Sequence, residues 1–250
     1  MTRITPIDFN CDLGEGCGDD AAIVPWLTSA SIACGAHAGD DTTMRATLRL
    51  CGAHGVAAGA HPGYDDKAHF GRREVSMSAD DLRRLLDRQL RRIGAIAGQE
   101  GVRLAHVKPH GALYNLAARD RTVADVVAAA VHAFDESLVL FAMAGSELIR
   151  AGKAAGLRVA HEAFAERAYD ADGRLAPRGT PGAVLEGVDA AIDQVRLLAR
   201  EGVVVARDGT CVRLRADTLC LHGDRPDAAA FARALRTTLE AEGFTVEAFR

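Results

Sequence analysis

No uncharged apolar stretch in this sequence is long enough to cross a bilayer, and the opening MTRITPIDFN has no long apolar run of the kind that heads a secreted chain. Neither a membrane protein nor an exported one is expected, and the reading is cytoplasmic. Basic residues do not gather. The 30 Lys and Arg are interspersed with 34 Asp and Glu for a net charge of −4, so no basic stripe follows a phosphate backbone and nucleic-acid binding is disfavoured. The phosphate loop GxxxxGK[ST], a GxGxxG after the first strand, HExxH and GxSxG are all missing. Independent ATP hydrolysis, dinucleotide chemistry and serine hydrolysis lose ground accordingly. Cys11, Cys17, Cys34, Cys51, Cys211 and Cys220 are not spaced as a CxxC metal knuckle, so reduced thiols are expected, with Cys11, Cys34 and Cys220 as small buried hydrophobes. No linker, repeat or low-complexity tract divides the chain, and residues 1–250 read as one domain.

What is present is a recurring pattern. NCDLGEG (10–16), CGAHAGD (34–40), GAHPGY (59–64), HVKPHGALYN (106–115) and CLHGD (220–224) each follow a short apolar run and set His, Asp, Lys or Asn beside Gly. Runs near 5–11, 31–35, 56–61, 103–108, 138–143, 157–162 and 217–222 read as strands, most followed by an Ala/Leu/Arg-rich segment of helical spacing. Helices are expected over 78–98 with Ser78 as N-cap, 119–134 and 227–243. This alternation predicts an α/β fold of seven parallel βα units. Residues 202–214, with Asp208-Gly209, carry the two-residue turn signal of a β-hairpin inserted before the last strand.

Side chains alternate along a strand. In the first one Ile7, Phe9 and Cys11 oppose Asp8, Asn10 and Asp12; in the fourth Ala105 and Val107 oppose His106 and Lys108; in the last Leu219 and Leu221 oppose Cys220 and His222. A strand of an open doubly wound sheet is apolar on both faces. The alternation therefore favours a closed TIM-like barrel with a polar interior, and active sites of such barrels lie at the carboxyl ends of the strands.

The candidate site residues each have a plainer reading. Asp12 and Glu15 fit a general base or cation ligands, against a Gly-rich turn capped by Asp. His37 sits between Gly35 and Gly39, which permit close backbone approach, whereas Asp40 or Asp41 reads as the N-cap of the helix around 44–50. His61 precedes Pro62 at a strand end, against a structural His bonded to a loop carbonyl. Lys108, between His106 and His110, reads as a base or an anion holder whose proton affinity burial lowers, with Asp8 or Asp12 as its simplest structural partner. Arg72, Glu162 and Arg167 offer polar recognition of a substrate, with Asn10 beside Asp12 and His222 with Asp224 at the last strand end; for Arg73 and Glu166 surface salt bridging is preferred.

Taken together, NCDLGEGCG, SIACGAHAGD, HGVAAGAHPGY with FGRR, HVKPHGALYN, FAERAYDADGRLAPR and CLHGD resemble the LamB/YcsF family from about Ile7 to Leu235. The resemblance implies an irregular seven-stranded barrel of the glycoside hydrolase/deacetylase type. It also implies opening of the 5-oxo-L-proline lactam to L-glutamate, coupled to ATP hydrolysis together with subunits B and C of a 5-oxoprolinase. ATP would then be a co-substrate of the complex, carried with Mg if a divalent metal takes part, and a homo-oligomer is allowed. On this reading Asp12 or His61 activates water, and Lys108 with His110 stabilises an oxyanion or phosphate. YDDKAHFGRR and Ala36 depart from the family pattern beside the site without removing a polar group. The superfamily's metal-dependent deacetylases place a second His where this chain has Asp41, so their metal triad is incomplete and the metal stays unassigned. The rival functions are a stand-alone metal-dependent amidase or sugar deacetylase, and a non-catalytic subunit that presents oxoproline.

Overall fold

A computed structural model of the chain describes residues 6–177, 179–223 and 227–249. Seven parallel strands close a barrel in sequence order: β1 (Asp8–Leu13), β2 (Ser29–Ala33), β3 (Ala57–His61), β4 (His106–Val107), β5 (Val139–Met143), β6 (Arg158–Phe164) and, after a two-stranded hairpin, β9 (Thr218–His222). The hairpin β7 (Val203–Val205) and β8 (Cys211–Arg213) stands outside the barrel between β6 and β9, where the sequence puts it. Its connection differs from the expected two-residue turn. Ala206 and Thr210 pair across three loop residues, with Gly209 at φ 87°, the geometry of a turn closed by a left-handed glycine.

The helices are α1 (Asp20–Ile23), α2 (Asp41–His54), α3 (Ala79–Gln99), α4 (Gly111–Arg119), α5 (Arg121–Phe134), α6 (Glu147–Ala154), α7 (Val188–Glu201) and α8 (Ala228–Ala241). Ser78 caps α3 as expected, accepting from Asp81 N, and Asp40 caps α2 in a reciprocal capping box with Thr43. The helix expected over 119–134 is found as α5, while α4, just before it, lies outside the expected helices; the two are separated by Asp120. That carboxylate accepts from Thr122 N and Val123 N, so α4 ends and α5 begins around one cap.

Strand alternation sorts the side chains as the sequence predicts. Outward residues Phe9, Cys11, Ile32, Ala60, Val107, Leu140, Leu219 and Leu221 are buried against the helices in the main core. Inside the barrel one sector is apolar, with Val139, Phe141 and Ala160 in contact. The opposite sector is polar and tied together. Asp8 accepts from Thr28 and Ser29 at 2.7 and 2.6 Å and from Thr218, so it closes the amino end and does not reach Lys108. Burial raises its pKa against the lowering effect of those hydroxyls. Above it, His106 lies across the barrel with Nε2 3.0 Å from Ser31 Oγ and its ring stacked on Phe141 at 4.1 Å.

His106 needs the space that Gly59 on β3 leaves open. A Cβ at position 59 would stand 2.2 Å from His106 Nε2. Overpacking a close-fitted core typically costs about 1–3 kcal/mol, so Gly59→Ala is expected to lower the chemical-denaturation stability by at least that much. An unchanged unfolding midpoint would mean that the imidazole does not lie across β3.

Candidate active site

The carboxyl ends of β1, β3 and β4 bring Asp12, His61 and Lys108 together at the floor of a cavity of about 770 Å³. Lys108 Nζ lies 2.9 Å from Asp12 Oδ1, 2.8 Å from Glu162 Oε1, 3.3 Å from Asn10 Oδ1 and 3.1 Å from Cys220 Sγ. Burial alone would lower the pKa of this lysine, but Asp12, Cys220 and Glu162 raise it well above the ordinary value. The expectation of a depressed Lys108 is therefore corrected. It is an ammonium held by carboxylates, able to bind an anion or oxyanion and unsuited to act as a base. Burial likewise pushes Asp12 up, and His61 and Lys108 overcome this and hold its carboxyl well below the usual range.

Two of the expected substrate contacts lie beneath the pocket. Asn10 is fully buried and donates to Glu162 Oε1 at 3.0 Å and Thr218 Oγ1 at 2.6 Å. Glu162, on β6, accepts the first of these together with the Lys108 contact, and a 2.6 Å bond from Tyr114 OH. Both position Lys108; neither lines the cavity. Removing Lys108 would strand two carboxylates in the interior, a change of the kind that costs about 3–5 kcal/mol. Tyr114 is not singled out by the sequence, although it sits in HVKPHGALYN. It lies on α4, in the segment that follows Lys108, and its buried hydroxyl is pushed well above the usual phenol range by burial and Glu162. Cys220 is more than a hydrophobe, since its sulfur faces the ammonium; burial still holds it as a thiol.

A second cluster adjoins the first. His61 Nε2 lies 3.4 Å from Asp12 Oδ2 and 2.9 Å from His110 Nδ1, and Glu15 Oε1 lies 3.4 Å from His110 Nδ1 and 3.5 Å from His37 Nε2. His37, expected to touch substrate, is buried behind the cavity wall with its ring stacked on His110 at 3.7 Å. Burial depresses its pKa strongly, and that of His110 to about 3, with neighbouring imidazoles adding to the effect. Gly63 and Gly71 make room for these rings, because a Cβ at either would come within 2.8 or 2.7 Å of His37. Phe70 covers the cluster, edge-on to His37 and His110 at 5.9 and 5.6 Å, and holds a left-handed φ of 55°.

Arg72 lines the cavity and packs over Phe70 at 5.0 Å. Arg167 also lines it, but is buried and donates to Ala176 O and Ala183 O, which fixes the loop after β6. Glu166 is buried and so is not the surface residue expected; Arg73 is exposed and bonds His69 Nε2 at 3.0 Å. His222 pairs with Asp12 through the strand register, while its side chain and Asp224 lie outside the described residues.

A parallel α/β barrel with a buried lysine–carboxylate centre at its carboxyl-end mouth is the class that this geometry defines. Within that class the chain belongs to the LamB/YcsF family, whose model matches residues 7–250. It is 54% identical over 245 residues to the A subunit of 5-oxoprolinase from Chloroflexus aggregans, covering 96% of this chain and 97% of that one. Identity to the corresponding 5-oxoprolinase subunit of Methylococcus capsulatus is 51% over 250 residues, covering 97% and 95%. The crystal structure of a lactam utilization protein from Thermus thermophilus superposes with a TM-score of 0.93 at 44% identity, covering 98% of this chain and all of that one. No helix among the described residues is long and apolar enough to cross a membrane.

Buried neutral imidazoles make the fold sensitive to acid. His106 falls from 6.5 to about 3, through burial first and then the nearby Lys108 charge. The unfolded chain takes up its proton as pH drops below 6.5, and the folded chain does so only near 3. Stability is therefore full above about pH 6.5 and declines toward pH 3 by about 1.4 kcal/mol per pH unit for this group. Urea titrations between pH 6 and pH 4 are expected to show His106→Gln with a slope shallower by about that amount. An unaltered slope would rule out a neutral buried His106.

Proposed function

We propose that this chain is the lactam-opening A subunit of an ATP-dependent 5-oxoprolinase, acting with subunits B and C to convert 5-oxo-L-proline to L-glutamate. The observation that carries the reading is the Lys108–Asp12 pair at the floor of the cavity, in a chain similar over nearly its whole length to the A subunits of 5-oxoprolinases. A lactam carbonyl is a poor electrophile because nitrogen donates into it. Transfer of the ATP γ-phosphoryl group to the carbonyl oxygen removes that protection. The balance is one lactam, one ATP and two waters giving glutamate, ADP and phosphate.

The lack of a phosphate loop agrees with a division of labour among the subunits, and in this proposal the activated lactam is opened here. Asp12, ionised and facing the cavity, accepts a proton from the attacking water. Collapse of the adduct so formed breaks the C–N bond as the ring nitrogen takes up the proton and leaves γ-glutamyl phosphate, which the second water hydrolyses to glutamate and phosphate; Lys108 faces the anionic phosphoryl oxygens throughout. Arg72 at the rim suits the phosphoryl oxygens or the substrate carboxylate. The cavity is much larger than a single five-membered ring, which leaves room for a phosphorylated substrate.

The test is reconstitution of the full chain with subunits B and C. Glutamate release from 5-oxo-L-proline is expected to require ATP, with kcat reduced at least about 100-fold in Asp12→Asn and in Lys108→Met. If both folded variants turned over normally, the chain would be a presenting subunit without chemistry of its own. Release by the isolated chain in the absence of ATP would replace the proposal with a stand-alone amidase.

A further inference from the structure

The paired imidazoles of His61 and His110 carry an inference that is independent of the reaction. His61 Nδ1 lies 2.7 Å from Lys108 O, and His110 Nε2 lies 2.8 Å from Phe70 O. A carbonyl oxygen only accepts, so both of these nitrogens must carry hydrogen. In the neutral rings the remaining atoms, His61 Nε2 and His110 Nδ1, are both bare lone pairs, yet they face one another at 2.9 Å. Two lone pairs at that distance repel unless something positive lies between or beside them.

The surrounding charge points the same way. Asp12, Glu15 and Glu162 supply three carboxylates within this connected group, against two cations, the ammonium of Lys108 and the Arg72 guanidinium whose charge reaches His37 and His110. His37 adds an imidazole that is 1% exposed and makes no hydrogen bond through either ring nitrogen. One donor atom from each of Glu15, His37, His61 and His110 lies within 4.8 Å of all the others. Backbone carbonyls that take the far N–H of each ring are the usual device for fixing the tautomer of a metal-binding histidine.

We infer that Glu15, His61 and His110, with His37 in reach as the fourth donor, form a site for a divalent transition metal. Tetrahedral bonds of about 2.0–2.2 Å separate neighbouring donors by roughly 3.3–3.6 Å; the contacts of 3.4 and 3.5 Å fall within that spacing, that of 2.9 Å lies below it, and all pairs lie within 4.8 Å. Three imidazoles and one carboxylate suit zinc, cobalt or nickel; magnesium and calcium prefer an all-oxygen shell. This donor set is not that of a magnesium–ATP complex, so a metal here is separate from any ion that accompanies the nucleotide. Glu15, His61 and His110 line the cavity, so the metal would present its remaining coordination position to the cavity's occupant.

The test is metal binding by the intact chain, read without turnover. After removal of metals with a chelator, titration with zinc chloride is expected to show one site per chain with a dissociation constant below about 1 μM. Cobalt chloride is expected to develop visible d–d absorption of a four- or five-coordinate ion. His61→Ala and His110→Ala should each weaken zinc binding at least 100-fold and Glu15→Gln at least 10-fold, while His132→Ala, at an exposed position, leaves it unchanged. If the wild-type chain took up no zinc at 100 μM, or if His61→Ala and His110→Ala bound it as tightly as wild type, the inference would be overturned. In that case the two rings share a proton. Failure of the reconstituted turnover would leave the metal titration unaffected, so the two results are separable.

Discussion

The ammonium of Lys108 is the charge around which the carboxyl end of this barrel is organised. It is buried, and a buried ammonium is tolerated only with close counter-charges. Asp12 from β1 and Glu162 from β6 supply them; Asn10 donates to the same Glu162 Oε1 that faces Lys108, and Tyr114 satisfies Oε2. Four separate segments are thereby fixed relative to one another by one side chain. The arrangement leaves Asp12 ionised and turned toward the cavity, which is the condition that ring opening would impose on it.

The polar interior is also why strand alternation can be read at all. In β1, Asp8, Asn10 and Asp12 interrupt an otherwise apolar run at every second position, and the fold places all three inside. His106 and Lys108 announce β4 in the same way, although only His106 and Val107 pair formally as a strand. Helix starts are legible where a short polar side chain stands before a periodic run, as at Ser78 and Asp40. Asp120 does the same for α5, which starts two residues after the expected position, whereas α4 is preceded by His110, which makes no side-chain capping bond, and so its start carries no such signal.

Depth is the part of the site that the pattern does not reveal. Asn10, Glu162 and Lys108 all read as inward, but alternation gives the direction of a side chain and not its level along the barrel axis. Asn10 and Glu162 therefore look like substrate contacts in the sequence, whereas they support Lys108 from below. The sign of the Lys108 shift is hidden for a related reason, because its second carboxylate comes from 54 residues further along the chain. The stacking of His37 on His110 has no local signal either, since the two rings come from loops after β2 and β4 and meet only through Gly63 and Gly71.

Phe70 joins two demands that pull in opposite directions. Its left-handed backbone is one that glycine adopts freely and a bulky residue adopts at an expense of about 1–2 kcal/mol. Glycine there would relax the turn, yet it would remove the ring that walls in His37 and His110 and loosen the carbonyl that fixes the His110 tautomer. A consensus-style search for thermal robustness would thus favour a residue that erodes the imidazole cluster. This loop is a place where ruggedness and chemical competence are traded against each other.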